Sequence, residues 1–114
     1  MTKIAVVTIS GKEITDWDSF HEVFQRAMGF PSFYGRNMNA WIDCMTSVDL
    51  PDDGMSKVTV ANGGVLVVRI EDFPEFSRRC PEQCNALIQC TAFVNFRRVE
   101  VGETAVLALM PMGR

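Results

Sequence analysis

Asp43 is the side chain whose type and setting most clearly suggest chemistry. It is the single ionised group in residues 38–46, Met-Asn-Ala-Trp-Ile-Asp-Cys-Met-Thr. Met38, Trp41, Ile42 and Met45 recur at i, i+3, i+4 and i+7, the spacing of one apolar helix face. Asn39, Asp43, Thr46 and Ser47 fall on the opposite side. A carboxylate held on a rigid helix can make charge-assisted, even bidentate, hydrogen bonds to a cationic partner. Catalysis asks for more: a nucleophile with a base, paired carboxylates or a metal. His21 is the sole histidine and has no partners for a triad, so it reads as structural. Cys44 stands beside Asp43, and a neighbouring carboxylate raises a thiol pKa rather than activating it. The expectation is a binding protein, not an enzyme.

The other cysteines are Cys80, Cys84 and Cys90. Cys80 and Cys84 can meet at i, i+4 on a helix, but no histidine supplies structural-zinc spacing. Free thiols are expected, with a disulfide as the lesser alternative. No metal and no cofactor is expected.

Local signals place the elements around Asp43. Phe30-Pro31 and Gly35 define a turn, with Phe33 and Tyr34 inside it. Asn37 stands at an N-cap position, its side-chain oxygen free to accept from an early backbone N–H. Before the turn, Asp16 or Asp18 caps a helix carried by Trp17, Phe20, Phe24 and Met28 up to Gly29. Residues 3–9 read as a first strand, and their apolar run suggests cover on both faces. Residues 49–54, Asp-Leu-Pro-Asp-Asp-Gly, form an acidic turn. Asn62-Gly63 between two β-rich runs is a hairpin signal, so residues 57–60 become either an extra edge strand or a loop before a strand at 65–68. A short helix is expected within 71–80. Pro81 and Glu82 open a longer one, with Arg97 and Arg98 in its last turn and Gly102 at C′. Residues 93–101 could alternatively be a strand. Residues 104–110 read as a buried last strand.

Strands alternating with helices over 114 residues predict one α/β domain with a small, mainly parallel sheet. A net charge of −3 and a pI near 5.0 disfavour direct nucleic-acid binding and suit a basic partner. The N-terminal run is too short for a signal peptide, and no apolar stretch approaches the ~20 residues of a membrane helix. The expected location is cytoplasmic, with no membrane partner.

The stretch Phe33-Tyr34-Gly35-x-Asn37-Met38-x-Ala40, followed by Asp43-Cys44-Met45-Thr46, resembles the barstar family of ribonuclease inhibitors. That family's pattern is aromatic-Tyr-Gly-x-Asn-Leu-Asp-Ala, then Asp-Cys-Leu-Thr. His21, Phe24, Met28, Phe30 and Pro31 keep its spacing upstream. The clear match spans about thirty residues, 18–48. The resemblance implies three parallel strands with three to four helices packed around them. It also implies an immunity-type inhibitor of a basic microbial ribonuclease or nuclease toxin, in which Asp43 mimics the substrate phosphate. Phe33, Tyr34, Gly35, Asn37, Asn39 and Thr46 would complete the binding patch.

Three positions depart from the pattern. Asn39 replaces an aspartate one turn before Asp43, and Ile42 replaces a tryptophan, with Trp41 one place earlier. In the last helix the nearest counterparts of an acidic contact are Arg97 and Glu100. These losses point to a different nuclease, with Asp49, Asp52 and Asp53 supplying charge from the loop. They also admit an alternative, a binding or regulatory module whose target is not a barnase-type ribonuclease.

Overall fold

A computed structural model describes residues 3–113. The elements run β1 (Ile4–Ser10), α1 (Trp17–Met28), α2 (Met38–Thr46), β2 (Val65–Glu71), α3 (Phe73–Arg79), α4 (Pro81–Glu100) and β3 (Leu107–Pro111), with 3₁₀ turns at Gly11–Glu13 and Pro51–Asp53. The architecture is α/β and barstar-like. Its sheet has order β1-β2-β3, and both pairs are parallel, with Val7 opposite Val68 and Val68 opposite Leu109.

Sequential parallel strands joined by right-handed crossovers put both connections on the same face. Burial follows that rule. Val7, Ile9, Leu66, Val68 and Ile70 point into a core shared with Phe20, Phe24, Trp41, Met45, Leu87 and Val94. Ile4 and Val6, on the other face of β1, are 60% and 56% exposed. The expectation that β1 is covered on both faces is therefore corrected. Its apolar run hid an alternation that only the one-sided placement of the helices creates. Likewise, only Leu107 of β3 is buried, so that strand is less enclosed than its composition suggested.

Capping confirms the helix starts. Asp16, rather than Asp18, caps α1: its Oδ1 accepts from Ser19 N at 2.8 Å, while Ser19 Oγ accepts from Asp16 N at 3.0 Å. Residues 93–101 are not a strand, because α4 continues to Glu100. It ends with Gly102 at φ 86°, where Glu103 N donates to Arg98 O and Gly102 N to Val99 O, the paired closure of a left-handed helix end.

Residues 57–60 form no strand. Lys57 N and Val58 N both donate to Met28 O, and Val60 N donates to Val48 O. The hairpin signal at Asn62-Gly63 fails because β1 and β3 already occupy both edges of β2. The segment instead ties off the ends of α1 and α2.

Candidate functional site

Asn37 sets the origin of α2. Its Oδ1 accepts from Ala40 N at 2.8 Å and its Nδ2 donates to Gly35 O at 3.2 Å, so one side chain joins the turn to the helix. Arg36 before it takes a left-handed conformation (φ 53°), costly for a residue with a side chain. Its guanidinium is held by the Asp18 carboxylate at 2.6 Å, the Asp18 carbonyl at 3.0 Å and Gln25 Oε1 at 3.3 Å. Those contacts anchor the turn on α1.

Below the surface, Trp41, Cys44 and Met45 are buried and lock α2 into the core. Trp41 packs edge-on to Phe24 with ring centroids 5.7 Å apart. Its indole Nε1 is buried without a hydrogen-bond partner among the described residues, so Trp41 fills space in the core instead of meeting solvent.

Asp43 is exposed on the outer face, and among the described residues its carboxylate has no hydrogen bond or ion pair. It stands between two clefts. One, of about 200 Å³, is lined by Pro31, Phe33, Tyr34, Gly35, Ala40, Asp43, Cys44 and Met55. The other, of about 410 Å³, adds Thr46, Ser47, Asp53 and Arg97 around Asp43 and Met55.

The structure thus brings Phe33, Gly35, Asp43 and Thr46 onto one surface. Phe33 is 74% exposed. Tyr34, its neighbour, turns inward, and its hydroxyl lies 2.6 Å from His21 Nδ1 in a buried pair. Burial pushes the Tyr34 hydroxyl pKa well up and the His21 pKa down, the latter assisted by Arg36. Both shifts favour the uncharged forms of the two groups, which share this one buried hydrogen bond. Tyr34 positions the turn from beneath, while Phe33 meets solvent.

Asn37 belongs to a third cleft, with Trp17, His21, Arg36 and Met38. Asn39 is exposed on α2, one turn before Asp43. Thr46 Oγ1 is taken up by Ile42 O at 2.6 Å, which leaves its oxygen free to accept.

The acidic loop divides. Asp52 and Asp53 are exposed, and Asp53 lines the cleft beside Asp43. Asp49 does not supply surface charge: it is buried and paired with Arg98, a correction that follows from where α4 passes. Met55 and Arg97 are additional members of the face. Arg97 is one of the two last-helix positions that the resemblance singled out, whereas Met55 carries no local signal and arrives through tertiary packing.

All four cysteines are free thiols, and burial together with the Asp43 carboxylate pushes Cys44 up to about 11. Among the described residues, no three His, Cys, Asp or Glu side chains gather where they could hold a metal ion. No helix among them is long and apolar enough to cross a membrane.

A three-stranded parallel sheet backed by helices, with an unpaired carboxylate on a capped helix beside an exposed phenylalanine, defines a barstar-like α/β protein. The chain belongs to the Barstar (barnase inhibitor) family, whose model matches residues 4–106. It is also 37% identical over 46 residues to the "Putative ribonuclease inhibitor YrdF" of Bacillus subtilis (strain 168). That alignment takes in 40% of this chain and 50% of the relative, so it spans half the relative's length.

Proposed function

We propose that this protein is a stoichiometric inhibitor that blocks the active site of a microbial ribonuclease, with Asp43 standing in for a substrate phosphate. A pocket that binds RNA phosphate must present cationic donors, and a fixed carboxylate can satisfy them as the phosphate would. One observation carries the reading: Asp43 is exposed and unpaired on a helix whose start and buried side are both fixed. Such a group reaches a basic pocket with little ordering left to do. Phe33 adds rigid apolar area on one flank, with Gly35 and Thr46 beside it, Asn37 and Asn39 at the rim, and Tyr34 as support. An interface of ~1,600 Å² in total suits this role. In the producing cell, the inhibitor would act in the cytoplasm as an immunity protein against its own nuclease. Membership of a family described as barnase inhibitors supports this reading.

RNA cleavage by a ribonuclease of the producing organism, titrated with the purified protein, tests the proposal. Cleavage should stop near one equivalent of inhibitor, and Asp43→Ala should shift the endpoint or raise the dissociation rate. Unaltered cleavage in excess inhibitor would count against it.

A second reading keeps the fold and drops the barnase-type target. Arg97 in the Asp43 cleft favours it, because a cation there opposes docking onto a pocket basic on every side. Under that reading the wild type leaves a barnase-type enzyme active at every ratio.

A further inference from the structure

We propose that Arg97 is a specificity determinant of the Asp43 face, selecting ribonucleases whose phosphate pocket is flanked by a carboxylate and disfavouring those basic all round. The inference rests on the inhibitor reading and adds the chemistry of the partner.

Arg97 and Arg98 are consecutive but have opposite roles. Arg98 points inward and is neutralised by Asp49. Arg97 is exposed, lines the same cleft as Asp43, Thr46, Ser47 and Asp53, and forms no ion pair among the described residues. Its guanidinium carbon lies 5.5 Å from the centroid of the Phe93 ring, an attraction that favours this placement without neutralising the charge. Phe93 is itself 46% exposed, so the cation rests on a ring that leaves it open to solvent and to a partner.

The face therefore presents two exposed anions, Asp43 and Asp53, and one exposed cation on the α4 side. Complementary partners match such a pattern sign for sign, and a like-charge juxtaposition is disfavoured. A pocket shaped to hold RNA phosphate supplies the cations for Asp43. The surface meeting Arg97 must then be anionic, or the approach is slowed. Exposed rim charges act mainly on association rate and on its salt dependence, and so should Arg97.

The test uses catalytically inactive barnase as the probe, with wild type, Arg97→Gln, Arg97→Glu and Asp43→Ala, each followed by association kinetics at low and high salt. Arg97→Glu should associate about tenfold faster than wild type at low salt, with Arg97→Gln between them and the gain shrinking at high salt. Asp43→Ala should dissociate faster than wild type. Equal or slower association by Arg97→Glu, with Asp43→Ala still impaired, overturns the role of Arg97 and spares the inhibitor reading. If no variant binds at low salt, this inference fails while the inhibitor reading stands on the cleavage titration above. If Asp43→Ala binds as wild type does, Asp43 loses its role as phosphate mimic and this inference falls with it. Matched thermal melts guard against misfolding, since Arg97 lies on the surface.

Discussion

Asp49 and Arg98 meet through two parallel hydrogen bonds, Nη1 to Oδ1 at 3.0 Å and Nη2 to Oδ2 at 2.6 Å. Both side chains are nearly inaccessible, at 1% and 4% exposure. Arg98 also donates to Thr46 O at 3.1 Å and to Thr104 O at 2.8 Å. One guanidinium thus joins the end of α2, the chain after it and the segment leading to β3. The pair holds the C-terminal end of α2 against α4 and so fixes the cleft between Asp43 and Arg97.

Removing one member should be costly. Asp49→Ala leaves a buried cation uncompensated and should lower stability by about 3–5 kcal/mol, read from urea unfolding. The double variant Asp49→Ala/Arg98→Met should lose less than the two single losses summed. Additive losses would show that the two groups are not energetically coupled.

Asp43→Ala should separate stability from binding. An exposed side chain without a partner contributes within about 0.5 kcal/mol to folding, so the melting curve should barely move. Binding to the ribonuclease should weaken by about 2 kcal/mol or more if Asp43 is the central contact. A variant that unfolds readily would mean that Asp43 has a structural duty.

Asn37→Ala removes the N-cap of α2 and the link to Gly35. A lost cap costs about 1 kcal/mol, visible as a lower urea midpoint. Asn37→Asp should retain most of that stability, because a carboxylate also accepts from Ala40 N and suits the helix N-terminus.

His21 gives a pH signature. Its pKa is lowered from the ordinary 6.5, first by burial and then by Arg36. Below that value the unfolded chain binds the proton more readily than the folded one, so the contribution is complete above about 6.5 and is lost as pH falls through the lowered folded value. The urea midpoint should drop between pH 7.5 and 5.5 by more in wild type than in His21→Gln. Equal drops would assign the acid sensitivity to the carboxylates.

Cys44 is 1% exposed with its pKa pushed up to about 11, whereas Cys90 is half-buried. At pH 8 a thiol reagent should modify Cys90 first and reach Cys44 only at the rate of protein opening. Peptide mapping after a short pulse checks the order, and early modification at Cys44 would contradict the packing described for α2.

Much of α2 and its setting was legible before any coordinates. Asn37 as cap, the buried Trp41 and Met45, Gly102 at the end of α4 and the outward placement of Asp43 all depend on residues within about two helical turns. Chain neighbours and the 3.6-residue repeat decide such features, whatever else the protein does. Tertiary structure decided where two similar neighbours parted: Phe33 from Tyr34, Asp53 from Asp49, Arg97 from Arg98. In each case the fate depends on which distant element arrives, His21 for Tyr34 and α4 for Asp49. It likewise left one face of β1 open and turned residues 57–60 from a possible strand into a tie between helix ends. Local pattern sets which way a side chain points from its own helix or strand. Whether a charge then meets water or a counterion is decided by segments far along the chain, through burial and desolvation that no short window of sequence contains.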